Sequence, residues 1–165
     1  MKVKNTFEDD WHLYLVMDYR IDDLRNLFGI LTAPLTEEFA RKLIHDMLCA
    51  VNHCHRMGVV HRDIKMENFL IDYDEQTGQV TVELTDFGIA AIKTNNANKN
   101  RQLQTGTPVC MSPEQILFRS YLTPKSDIWS LGVVLFELLT GRLPFSGRDQ
   151  RELFVNICQR HHYAE

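Results

Sequence analysis

Glycine is sparse and nowhere clustered, eight residues in 165, so nothing in the chain reads as a glycine-rich phosphate loop. Cysteine is also scarce. Cys49, Cys54, Cys110 and Cys158 are widely spaced with no C-x-x-C, which suits reduced thiols in an intracellular chain better than a disulfide framework. His53-Cys54-His55 lacks a second ligand pair at zinc-site spacing and reads as a helix end with one packed imidazole. No apolar run reaches membrane-span length, and Met1-Lys2-Val3-Lys4-Asn5 has no signal-peptide apolar stretch. The expected location is therefore cytoplasmic, with the nucleus open as well. There is no excess of positive charge: the net charge of −4 gives no reason to expect nucleic acid or an anionic membrane as partner. Neither an internal repeat nor a linker is visible.

What is present is ordinary globular material, 44% hydrophobic and 24% charged. A chain of this length can bury roughly 70% of the surface it exposes when unfolded. Its most informative stretch is His61-Arg62-Asp63-Ile64-Lys65-Met66-Glu67-Asn68, followed by Asp86-Phe87-Gly88. That set supplies a carboxylate, an ammonium, an amide and a second carboxylate at the spacing phosphoryl transfer from a magnesium nucleotide requires. The first carboxylate can orient a hydroxyl nucleophile; the amide and the second carboxylate can hold Mg²⁺.

Periodicity predicts the frame. Leu13 to Met17 is a short apolar run that suits a buried strand, and Asp18 to Asp23 a polar connector. Thr36 can cap a helix whose first turn carries Glu37 and Glu38. Its apolar stripe is Phe39, Leu43, Ile44, Met47, Leu48 and Val51, and Gly58 is its natural stop. Phe69 to Ile71 and Val80 to Leu84 read as two short strands around a polar turn. Lys93 to Gln104, polar and asparagine-rich, reads as a mobile loop. Asp127 to Thr140 reads as a deeply buried helix with a stripe of Ile128, Leu131, Leu135, Leu138 and Leu139, ended by Gly141. A last helix is expected over Leu153 to Gln159.

The ordered motifs resemble the eukaryotic protein kinase catalytic domain. They are His61-Arg62-Asp63 with Lys65 and Asn68, Asp86-Phe87-Gly88, Gly106-Thr107-Pro108, Ser112-Pro113-Glu114, Ser126 to Gly132, and Leu143-Pro144-Phe145. The resemblance implies an α+β, kinase-like fold with a mainly helical large lobe, short strands at the cleft and a truncated small lobe. It divides 1–165 into a strand remnant of the small lobe (1–17), a hinge (18–24) and a C-terminally incomplete large lobe (25–165). The family's glycine-rich loop, strand lysine and partner glutamate would lie upstream of this stretch. The arginine that normally pairs with the position of Glu114 would lie downstream, leaving that charge unpaired or exposed.

By the same resemblance, Asp63 would accept or orient the substrate hydroxyl proton, and Lys65 would neutralise the transferred phosphoryl group. Asn68 and Asp86 would be oxygen ligands for Mg²⁺. Met17 would border the adenine pocket, Asp18 and Arg20 would offer backbone groups to adenine, and Leu70 would pack beneath the ring. Asp22 or Asp23 would approach ribose, and Asp23 is the choice carried forward. Phe87 and His61 would hold the metal carboxylate in place, and Asp127 would brace the catalytic loop. Lys65 and Thr107 resemble the Ser/Thr branch. Glu67 with Asp22 or Asp23 would favour protein substrates with basic residues upstream of the phosphorylated Ser or Thr. Arg62 points to control by activation-loop phosphorylation, with Thr94 and Thr105 as the available hydroxyls.

The expected function is transfer of the ATP γ-phosphate to protein Ser/Thr hydroxyls, with ATP and Mg²⁺ as cofactors. The alternative is a truncated, catalytically inactive binding or scaffold module, because the phosphate-gripping backbone and the strand lysine are not among these residues. Subfamily and oligomeric state are not set by these motifs.

Overall fold

The computed structural model describes residues 3–30, 35–74, 76–77, 79–92, 106–118 and 123–159. Strands β1 (Val3–Glu8) and β2 (Leu13–Met17) form an antiparallel hairpin. A polar linker leads to β3 (Asp22–Asp23), within the expected connector, and to helix α1 (Leu24–Ile30), which periodicity did not predict. Asp23 Oδ1 accepts from the Asn26 amide at 2.9 Å, and Leu24, Leu27 and Phe28 follow at helical spacing.

Helix α2 (Glu37–Arg56) begins where the capping pattern predicts, with Thr36 Oγ1 accepting from the Phe39 amide at 3.3 Å. It buries Ala40, Leu43, Met47 and Val51. Leu48, expected on that stripe, is turned to solvent. Strand β4 (Val59–Val60) pairs with β7 (Ala91–Ile92), while β5 (Phe69–Asp74) and β6 (Gln79–Leu84) form the expected hairpin, with β3 added along β5. A single 3₁₀ turn, Met66–Asn68, delivers the chain into β5.

Helix α3 (Pro113–Phe118) precedes α4 (Pro124–Thr140), which starts three residues ahead of the expected Asp127, with proline in its first turn. Gly141 ends α4 at φ 74°, a left-handed cap. Helix α5 (Gln150–Gln159) closes the described chain.

One core gathers Leu24, Leu43, Met47, Val51, Ile64, Met66, Phe69, Leu131, Val134 and Leu138, so α1, α2, α4 and the inner face of β5–β6 meet there. A smaller cluster holds Phe145, Leu153 and Ile157, with Trp129 stacked on Phe145 at 5.8 Å.

Two packing expectations are corrected. Every residue of Leu13–Met17 is exposed: a two-stranded hairpin has no second layer of its own to bury against, however apolar its sequence. In α4, Ile128 and Leu139 are exposed, whereas Ser126, Asp127, Ser130 and Glu137 are buried. The inward face of that helix mixes apolar residues, Leu131, Val133, Val134 and Leu138, with these polar ones, of which Asp127 reaches the backbone of His61 and Arg62.

Candidate active site

Asp127 is the anchor from which the site is built. It is 1% exposed, and its carboxylate accepts three donors: the backbone amides of His61 at 2.9 Å and Arg62 at 2.8 Å, and His55 Nε2 at 2.7 Å. A buried carboxylate with three short donors satisfies a loop that has no sheet or helix ladder of its own. His55 is thus the packed imidazole at the end of α2. His61, fully buried, reaches the Thr85 carbonyl at 2.8 Å and meets the Phe87 ring edge-on at 4.9 Å. Phe87 therefore packs against His61, although its outer side is open to solvent.

Around this anchor the structure brings together four of the expected side chains. Asp63 Oδ1 accepts both the amide and the hydroxyl of Thr107, at 2.9 and 2.8 Å. Lys65 Nζ stands 3.1 Å from Asp63 Oδ2. Asn68 Nδ2 donates to the Asp63 carbonyl at 2.7 Å and to its Oδ2 at 3.3 Å. Partial burial opposes the charge on Asp63, but the Thr107 hydroxyl, Lys65 and the Thr107 amide outweigh it and hold the carboxyl below the usual carboxylate range. Burial likewise works against the Lys65 ammonium, and Asp63, Glu67 and Asp86 more than compensate, raising its pKa.

Asp86 stands two residues beyond the end of β6. The Thr85 amide bonds the Asn68 carbonyl at 2.9 Å, joining the end of β6 to the catalytic loop. Asp86 has φ 60° and its carboxylate accepts from the Gly88 amide at 3.2 Å. Arg62 has φ 75°, and these are the non-glycine residues with positive φ among the described residues. Both border the site, where strain of about 1–3 kcal/mol persists only if the surroundings over-determine it. Gly106 is required sterically: a Cβ there would stand 2.7 Å from the Arg62 carbonyl oxygen. The absence of a side chain lets the Thr107 segment close onto Asp63.

The expected nucleotide residues divide into two groups. Asp23 of β3 pairs with Leu70 of β5, and Leu70 stands opposite Glu83 of β6. Arg20 Nε and Nη2 hold the Glu83 carboxylate at 2.9 and 2.7 Å. Met17 and Asp18 sit at the end of the other hairpin, where Asp18 pairs with Lys4. Asp22 and Asp23 also cap α1 through Asn26.

Glu114, expected to be left unpaired or exposed, is half-buried and accepts from the Ser126 hydroxyl at 3.2 Å. Thr94 and Thr105 lie outside the described residues.

Spacing could not reveal an ion-pair tie at the rim. Arg25 of α1 grips Glu137 of α4 at 2.7 and 3.1 Å, and Glu67 at 3.2 Å. An acid in the apolar second half of α4 was the available signal.

A buried aspartate braces a loop that presents a carboxylate, an ammonium and an amide, and an aspartate of positive φ follows β6; these are the groups that the protein kinase class carries. The protein kinase domain family matches residues 1–164, and the chain belongs to that family. It is 38% identical over 159 residues to a probable serine/threonine-protein kinase, MARK-A, of Dictyostelium discoideum, covering 95% of this chain and 14% of the relative. It is 36% identical over 151 residues to the serine/threonine-protein kinase GIN4 of Saccharomyces cerevisiae, covering 90% and 12%. CBL-interacting protein kinase 20 of Oryza sativa subsp. japonica is 40% identical over 124 residues, covering 74% and 27%. The chain thus spans about a quarter or less of the length of these relatives.

Proposed function

We propose that this chain is the catalytic-loop portion of a protein serine/threonine kinase that moves the ATP γ-phosphate to Ser and Thr hydroxyls of proteins. The observation that carries the proposal is the environment of Asp63. It is kept ionised by Thr107 and Lys65 and accepts a hydroxyl at 2.8 Å, the contact a base needs with an alcohol nucleophile.

The donor set fits magnesium. Asn68 spends its amide N–H groups on Asp63, leaving its carbonyl oxygen as a ligand. Asp86 adds a carboxylate held out by an unusual backbone conformation. Two protein oxygens leave room for phosphate and water oxygens, as Mg²⁺ prefers. When bound, the metal would neutralise charge on the phosphates. Asp63 orients the hydroxyl and takes its proton, and Lys65 balances charge on the group in transit. Asp127 holds both in place through the backbone of His61 and Arg62.

Met17, Asp18, Arg20, Asp23 and Leu70 form the proposed nucleotide side. Lys65 and Thr107, together with relatives named as serine/threonine kinases, support Ser/Thr over Tyr. A preference for basic residues upstream would rest on Glu67 with Asp22 or Asp23, whose carboxylates already serve Arg25 and the cap of α1. Cytoplasm or nucleus is the proposed location, supported by four free thiols.

The test is phosphate transfer from labelled ATP to Ser, Thr and Tyr versions of one peptide, using the full-length protein. Turnover of about 1–100 s⁻¹ on Ser and Thr is expected, with Asp63→Asn lowering it by about 10²–10⁴. Undiminished transfer by Asp63→Asn would refute the assignment.

A further inference from the structure

Strand alternation separates the two faces of the β5–β6 pair. Phe69, Ile71 and Leu84 point into the core, while Leu70, Asp72 and Glu83 occupy the outer face. Leu70 and Glu83 are direct cross-strand partners, and Asp72 is two residues along. Arg20 comes down onto this face from the linker between β2 and β3. Its guanidinium takes the Glu83 carboxylate in a two-pronged grip at 2.9 and 2.7 Å, and Nη1 stands 3.6 Å from Asp72 Oδ2. The side chain is only 19% exposed.

Ahead of Asp22, which pairs with Ile71 and accepts from Asn26, the rest of the linker has little to hold it. Tyr19 and Ile21, on either side of Arg20, are 87% and 62% exposed. Asp18 is tied back to Lys4 of β1, and Asp23 is tied to Leu70 by strand pairing. Between those two points no apolar side chain of the linker is buried, so Arg20 supplies the fixed point. A guanidinium fork is suited to this because it can grip one carboxylate through two nitrogens while facing a second. A lysine ammonium is a point charge without that geometry.

We infer that the Arg20 side chain is a positioning residue for the nucleotide: it sets how far the 18–23 linker stands from the outer face of β5–β6, at whose centre lies Leu70. The inference rests on the kinase reading above, because that face and that linker are its proposed nucleotide walls. The role belongs to the side chain and is separate from any backbone contact at the same residue. Arg20 does not touch the reacting atoms, which are gathered at Asp63. Loosening it should therefore weaken nucleotide binding without slowing the chemical step.

The experiment compares the full-length protein with Arg20→Met, Glu83→Gln and the charge exchange Arg20→Glu/Glu83→Arg. Equilibrium binding of MgATP is measured by titration calorimetry, and KM for ATP, KM for peptide and kcat by transfer assay. The expected result is a rise in Kd and KM for ATP of about threefold to tenfold in each single variant. Peptide KM and kcat stay within about twofold, and the exchange recovers at least half of the loss. Should Arg20→Met not fold, Glu83→Gln removes the same pair from the other side and decides the matter. ATP affinity unchanged in the single variants, or no MgATP binding by the unaltered protein, overturns the inference. So does a common fall in every kinetic constant, the mark of a general stabiliser. Arg20-sensitive MgATP binding without phosphate transfer would sink the kinase reading and leave this inference standing.

Discussion

Thr107 gives both its backbone amide and its hydroxyl to one oxygen of Asp63, and with Lys65 it holds the carboxyl of the proposed base below its usual range. Replacing Thr107 by Val removes the hydroxyl and leaves the amide. The Asp63 pKa should rise, and the acid limb of the pH–rate profile should move to higher pH. A hydrogen bond to a charged group contributes about 1.5–3 kcal/mol, so kcat should fall by about tenfold or more. Thr107→Ser should restore most of it. A profile unmoved by Thr107→Val would separate Thr107 from the base.

The same pair has a consequence for stability. The folded pKa of Asp63 lies below its ordinary value. Its contribution is therefore present above the unfolded pKa and lost as pH falls through the folded one. Denaturant titrations over the acid range should show a shallower loss of stability in Asp63→Asn than in the parent.

Asp127→Ala should be the most damaging single change described here. It strips the acceptor from two buried backbone amides and from His55. Each stranded donor costs about 1–3 kcal/mol, so a loss of at least about 3 kcal/mol in chemical unfolding is expected.

Asp86→Gly should separate stability from activity. Glycine accepts φ 60° without strain. Stability should hold or rise by up to about 1 kcal/mol, while phosphate transfer falls by about 10²–10³ or more. Thermal melts and transfer assays on one preparation would show whether the two properties part.

Burial pushes the Cys110 thiol up to about 12, whereas Cys49 is exposed. Iodoacetamide at mild alkaline pH should label Cys49 in the native protein and Cys110 only after unfolding. Early modification of Cys110 would contradict its burial.

Arg25→Ala would leave Glu137, 8% exposed, without its cation. The Arg25 side chain is 36% exposed, so the loss should be moderate, about 1–3 kcal/mol. Recovery in Arg25→Ala/Glu137→Gln would show that the stranded charge is the cause.

The elements with strong local signals were legible. Thr36 with Glu37, Glu38 and an apolar stripe defined α2 because capping and periodicity act within one helix. The β5–β6 hairpin and the Gly141 stop were readable for the same reason. The helix α1 was not, because its seven residues carry too short a period, and α3 is shorter still. The exposure of Leu13–Met17 was misjudged because apolar composition reports what a strand can bury, not whether another layer covers it.

The sequence alone determined which chemical groups the site owns: Asp63, Lys65, Asn68, Asp86 and Thr107, in an order that pointed to phosphoryl transfer. Tertiary structure alone decided how they are held. His55 and His61 share Asp127, Thr107 closes onto Asp63, Arg25 ties Glu137 to Glu67, and Arg20 grips Glu83. Each of these contacts joins residues far apart in the chain. Motif spacing records the chemistry a loop carries, but the partners that fix its geometry are chosen by packing, which no local pattern encodes.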